Sequence, residues 1–189
     1  MTIYNFDVFR SGWDSSKETP CGYGSELQYT AGLRDKLPHI IEELRFSLFG
    51  GKEVITINDA GCGDQHWIGR VDFTDCVDYR GYDLYPRNSD VIQLDITSET
   101  MRDCDIIFCR DVFIHFPNQL ICSALEQFRK TGKYLIATTF PDSLNYIRHD
   151  KITMHHQKLD MAYGPFYLGK PISLLPEPYE GKFLGVWKI

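Results

Sequence analysis

The chain has 189 residues, 43% of them apolar, and a formal charge of −6. That is enough apolar material to close one sizeable core, and it predicts a single domain spanning 1–189. Its Lys and Arg residues are scattered rather than gathered into a stripe, which argues against a nucleic-acid partner, and no apolar run approaches the roughly 18 to 20 residues that cross a bilayer. With no basic-then-apolar leader pattern, a cytoplasmic or otherwise reducing setting is expected. Cys21, Cys62, Cys76, Cys104, Cys109 and Cys122 form no CxxC pair and mostly sit in apolar runs, so buried reduced thiols are expected and no metal site.

In chain order, residues 31–49 set Leu33, Leu37, Ile40, Ile41, Leu44 and Leu48 at helical spacing, with Thr30 as N-cap and Gly50 as the stop. Pro38 is expected to kink or split that helix. Short apolar runs at 53–59, 79–83, 90–95, 103–110 and 133–140 read as buried strands. Between the last two, 117–132 reads as a helix, with Pro117 in its first turn, Leu120, Ile121, Ala124, Leu125 and Phe128 on one face, and Gly132 as its stop. Residues 182–189 read as a further strand, suited to antiparallel insertion. Strands alternating with helices predict an α/β chain whose parallel sheet is covered on both faces.

In such a sheet, ligands bind beyond the carboxyl ends of the strands, where strand order reverses. The stretch DAGCGDQHWIG, 59–69, opens there. Gly61 and Gly63 allow a sharp turn and a close backbone approach, but the third glycine of a dinucleotide fingerprint is missing, and His66 stands in its place. Carboxylates at Asp59 and Asp64 would serve a pyrophosphate poorly and a cation well. S-adenosylmethionine (SAM) is such a cation, through its sulfonium and its ammonium.

The run resembles the first motif of class I SAM-dependent methyltransferases, an acidic residue followed by GxG. Asp83, closing YRGYD, stands where a carboxylate can accept both ribose hydroxyls. The resemblance further implies that Asp95 holds the adenine amino group, and that CRDVFIHF, 109–116, lines the methyl-transfer site with Arg110 among the cofactor contacts. The likeness extends to a subgroup of small bacterial and viral class I methyltransferases with the pattern SGxGS…T, DAPCGDxxWM, YxGxD, CRDxxxH, TTF, NLxxxPF…P…E…LxLW. It is carried by CGYGSELQYT (21–30), DAGCGDQHWI (59–68), YRGYD (79–83), CRDVFIHF (109–116), TTF (138–140), GPFYLGKP (164–171), PE (176–177) and FLGVWKI (183–189). Gly61 replaces the subgroup's proline, Cys21 its first serine, and Lys158 its asparagine. The resemblance implies a Rossmann-like, seven-stranded, mostly parallel sheet with a C-terminal antiparallel strand.

Asp111 and His115 lie four apart after the fourth strand and read as the catalytic pair: His115 as general base, Asp111 orienting it or binding the acceptor. The competing reading is an Arg110–Asp111 ion pair with His115 at a helix start. Trp67 suits core packing better than a cofactor platform, His39 and His66 read as surface, and adjacent His155 and His156 make no metal site by themselves. The Asn/Asp-Pro-Pro-aromatic motif of nucleic-acid amino-methyltransferases is absent from the fourth strand's end, which disfavours a base as acceptor. Outside the core lie an N-terminal arm, 1–30, and an insertion, 140–182. Their aromatics, Tyr4, Phe6, Phe9, Trp13, Tyr146, Tyr163, Phe166 and Tyr167, either roof a pocket or simply pack on the sheet. The expected function is O-methylation of a sugar, a glycan or another small hydroxylated metabolite. A nicotinamide-dependent oxidoreductase and a non-catalytic binding module are the alternatives.

Overall fold

The structure, a computed structural model, describes residues 5–12, 16–145, 151–152, 155–179 and 181–189. Seven strands form one sheet: β1 (Ile55–Ala60), β2 (Val77–Asp83), β3 (Val91–Gln93), β4 (Cys104–Cys109), β5 (Gly132–Thr139), β6 (Ser173–Pro176) and β7 (Phe183–Lys188). Their order is β3-β2-β1-β4-β5-β7-β6. The first five run parallel, and β7 lies antiparallel between β5 and β6. This is the expected Rossmann-like, mostly parallel sheet with its antiparallel C-terminal strand. Strand order reverses between β1 and β4, the switch point that leaves a crevice above the sheet.

Two α-helices cover the two faces, α1 (Leu27–Phe49) and α2 (Asn118–Thr131). Leu33, Leu37, Ile41 and Leu44 of α1 bury against Ile55, Ile57, Ile106, Phe108 and Ile136. On the other face, Leu120, Ile121, Ala124, Leu125 and Phe128 of α2 bury against Ile107, Leu135, Ala137 and Trp187. Every residue of β4 is buried, as a central parallel strand with both faces covered requires.

The structure corrects four expectations. Helix α1 begins one turn earlier than expected, and Thr30 lies inside it with its hydroxyl donating to the Glu26 carbonyl at 2.9 Å, so Thr30 is no N-cap. Pro38 neither splits nor ends α1, which continues as one helix because the buried face on either side outweighs one lost backbone bond. Pro117 is the N-cap of α2 rather than a first-turn residue, and Gly132, its C-cap, is also the first residue of β5. The seventh strand that the resemblance implies is the short edge strand β6, which its alternation of half-buried and exposed residues left unmarked in the sequence. Between β1 and β2 only a single 3-10 turn, Ile68–Arg70, replaces the helix that strand–helix alternation predicts.

Candidate active site

A cavity of about 640 Å³ opens above the switch point. Its walls are the carboxyl ends of the parallel strands, an N-terminal segment running from Pro20 to Ser25, and residues His156, Lys158, Tyr179 and Lys182 from later in the chain. Asp59, Gly61, Gly63, Asp83, Asp95, Arg110, Asp111 and His115 all line it, so every candidate residue is brought to one place.

On the β1–β3 side, Gly61 and Gly63 have φ of +83° and +61°, a region that favours glycine. A Cβ on Gly61 would meet the Val112 side chain, and one on Gly63 the Cys21 sulfur, closer than carbon can pack. The two glycines therefore let three loops close on one another. Asp83 accepts the Gly63 N–H at one oxygen and the Tyr85 N–H at the other, both at 2.9 Å. Burial raises its carboxyl above the usual range despite these two donors. Asp59 is 4% exposed, and Tyr79 donates to it at 2.6 Å. Burial pushes Asp59 up to about 7, against the pull of Tyr79 and with a further push from Asp83. Asp95 turns its oxygens on its own chain, accepting from Thr97 N–H at 2.8 Å, the Thr97 hydroxyl at 2.7 Å and the Ser98 hydroxyl at 3.0 Å. It is thus a turn cap at the cavity wall.

On the β4–β5 side lies a buried charge cluster. The Arg110 guanidinium donates to Glu177 through Nη2 at 2.7 Å and Nε at 3.0 Å, and to the Gly24 carbonyl at 3.0 Å. It lies 5.1 Å above the Trp67 ring. Arg110 is therefore engaged by the protein itself, holding the N-terminal segment and the chain before β7 onto the end of β4. Lys182 donates to Asp111 at 2.7 Å and lies 3.1 Å from Glu177. Asp111 has a left-handed φ of +59°, a conformation that costs a residue with a side chain about 1–3 kcal/mol. It is fixed there by the Thr138 hydroxyl, which accepts the Asp111 N–H at 2.9 Å and donates to Oδ1 at 3.1 Å. Burial works against the Asp111 charge, yet Arg110, Lys182 and His115 together hold its carboxyl well below the usual range. Of the competing reading, the ion pair is present, Arg110 lying 3.3 Å from Asp111; His115 lines the cavity at the end of a 3-10 turn, Phe113–His115.

No protein-family model and no curated protein sequence matches the chain. Solved structures do match in fold. Magnesium protoporphyrin IX methyltransferase from Synechocystis PCC 6803, with bound S-adenosylhomocysteine (SAH), is 14% identical over 84% of this chain and 83% of that one, with a TM-score of 0.55. Mitomycin 7-O-methyltransferase MmcR is 12% identical over 89% of this chain and 62% of that one, at 0.53. The small RNA methyltransferase HEN1 is 14% identical over 82% of this chain and 25% of that one, at 0.51. The fold is that of SAM-dependent methyltransferases. These neighbours include small-molecule and RNA methyltransferases, so the methyltransferase fold by itself names no acceptor.

Within this methyltransferase fold, sequence reasoning missed Glu177 and Lys182. They lie 67 and 71 residues downstream of their partners Arg110 and Asp111, and only the PE dipeptide and the start of the last strand hinted at them. His66 is not idle surface, since its ring lies 2.7 Å from Glu18 and ties the N-terminal segment down. Trp67 is 6% exposed and packs on Phe108, as expected. Phe6 and Phe9 do line the cavity and pack on Phe116. Tyr163 and Tyr167 do not: they are 66% and 78% exposed away from it, while Phe166 is buried in the core. Tyr4, Trp13 and Tyr146 lie outside the described residues. Among the described residues, no three His, Cys, Asp or Glu side chains converge as a metal site, and no helix is long and apolar enough to cross a membrane.

Proposed function

We propose that the chain is a SAM-dependent methyltransferase that transfers a methyl group to a hydroxyl of a sugar or another small hydroxylated metabolite. The observation that carries this reading is one cavity with two unlike walls. The β1–β3 wall offers left-handed glycines and carboxylates to a cationic nucleoside, and the β4 wall offers a firmly ionised Asp111 beside His115.

The residues present fit SAM. Each Asp83 oxygen has one backbone donor and keeps acceptor capacity for a ribose hydroxyl. The carboxyl of Asp59 and the Gly61–Gly63 turn offer acceptors and close backbone approach to an aminoacyl ammonium, and Asp95 with Ile96 walls the adenine end. When bound, SAM supplies a methyl on sulfonium: the acceptor oxygen bonds to the methyl carbon as the carbon–sulfur bond breaks, and the electron pair stays on sulfur. The protein's own task is then alignment and removal of one proton. His115 takes the proton from the acceptor hydroxyl and passes it to water. Asp111, fixed by Thr138 and Lys182, stabilises the imidazolium that forms and is not itself a base. In this reading the whole chain is one catalytic unit, with 1–30 as its arm and 140–182 forming the acceptor side.

The cofactor assignment is tested at Asp83. Charge-assisted hydrogen bonds are worth about 1.5–3 kcal/mol each, so Asp83→Ala is expected to weaken SAH binding by at least about 10-fold. A 2′,3′-dideoxy analogue of SAH should lose far less. Equal losses for the two ligands, measured by calorimetry, would count against the ribose contact.

A further inference from the structure

The sheet order divides the cavity electrically. Asp59, Asp83 and Asp95 stand at the ends of β1, β2 and β3 on one side of the switch point, and Phe140 follows β5 on the other. On that second side Arg110 and Lys182 are matched by Asp111 and Glu177, two cations against two anions. Lys158 is not matched. It lines the cavity, its ammonium stands 5.9 Å from the Phe140 ring centroid, and no carboxylate pairs with it among the described residues.

Its placement is built rather than incidental. The residues on either side are buried and bonded to the catalytic wall. Gln157 donates its N–H to the Ile114 carbonyl at 3.0 Å and its side-chain amide to the Phe116 carbonyl at 2.7 Å, the two residues that flank His115. Leu159 accepts the Phe140 N–H at 2.8 Å, and Asp160 accepts the Asp142 N–H at 2.8 Å. The strap 157–160 therefore fixes the Lys158 backbone against the segment that carries His115, while its side chain stays at the exposed mouth. In a chain of net charge −6, an unmatched ammonium anchored there repels a cationic acceptor and gives a neutral one nothing. It complements an anion.

We propose that the acceptor is an anionic hydroxylated small molecule, of the acidic-sugar type, whose carboxylate or phosphate pairs with Lys158 while a hydroxyl faces His115. This rests on the methyltransferase reading above and names the substrate class of the same cavity. In the transfer an O–CH₃ bond replaces the S–CH₃ bond, the hydroxyl proton leaves through His115, and the anion remains unmethylated.

The test uses the full chain, labelled SAM and a small-molecule extract separated on an anion exchanger before the reaction. Label is expected in products from the retained fraction. Prior phosphatase treatment abolishes it if the anion is a phosphate ester and spares it if it is a carboxylate. Lys158→Ala is expected to raise KM for that fraction's acceptor about 10-fold with kcat within about 2-fold, the loss of one partly exposed charge-assisted contact, and Lys158→Arg to restore most of it. Label only from the unretained fraction, or from neither, overturns the proposal, as does a KM that Lys158→Ala leaves unchanged. Calorimetry with SAH on the same preparation separates the two readings: SAH binding without an anionic acceptor removes this inference alone, and no SAH binding removes both.

Discussion

Asp59 is a buried carboxyl whose ionisation acts directly on stability. Its acidity is displaced from 3.8 to about 7 because burial strips its water, and Tyr79 returns only one hydrogen bond. A carboxyl raised in the fold gives stability that is full below its unfolded value and lost as pH rises through the folded one. The cofactor-free chain is thus expected to lose on the order of 4 kcal/mol between about pH 4 and pH 8 from this group. Asp59→Asn cannot ionise, so it should unfold at a clearly higher temperature than the parent at pH 8, by a smaller margin at pH 5, and at nearly the same temperature at or below about pH 4. Thermal scans with the same difference at all of these pH values would show that Asp59 is not held neutral. With any acceptor that the chain methylates, His115→Ala should lower turnover by about 10² to 10⁴-fold while SAH affinity holds. Full turnover in that variant would leave alignment as the only catalytic contribution of this wall.

At the scale of elements, the end of β4, the segment before β7 and the N-terminal turn at Gly24 are joined by Arg110, Asp111, Glu177 and Lys182. Glu177 holds the centre, with its side chain 1% exposed. Removing it leaves two buried cations facing one carboxylate, and breaking a buried pair on one side typically costs about 3–5 kcal/mol. Glu177→Ala should therefore shift the denaturation free energy by that much, whereas a shift below about 1 kcal/mol would mean that water reaches the cluster. This network also marks where sequence reading stopped. The strands and α2 were legible because central parallel strands are continuous apolar runs and α2 keeps its apolar residues on one stripe. The β1 loop was legible because glycine and carboxylate types at that spacing point to a ligand. Helix α1's start was not, since Glu26 begins it with no side-chain cap to signal it. Nor was the pairing of Arg110 with Glu177, because a charge pair between distant segments leaves no local periodicity. Phe6 and Phe9 do line the cavity, but Tyr163 and Tyr167 do not, for a related reason: composition shows that they are aromatic, while only the turn that carries them, with Tyr167 at φ +50°, decides that they face outward.

For the whole molecule, the same topology that puts the switch point between β1 and β4 also separates the two chemistries of the cavity. Asp59, Asp83 and Asp95 gather on one side, and Asp111 and His115 with Lys158 on the other. The N-terminal segment closes the space between them, pinned by Glu18 to His66, Thr19 to Asp64 at 2.8 Å, and Gly24 to Arg110. With Asp59 and Asp83 facing the Gly61–Gly63 turn, the cavity is expected to take a SAM-type nucleoside rather than a dinucleotide. Titrating the full chain with SAH and with NAD in parallel calorimetric experiments tests it most directly. Saturable, one-to-one binding of SAH with no detectable heat for NAD is the expected result. Binding of NAD, or of neither ligand, would contradict the account.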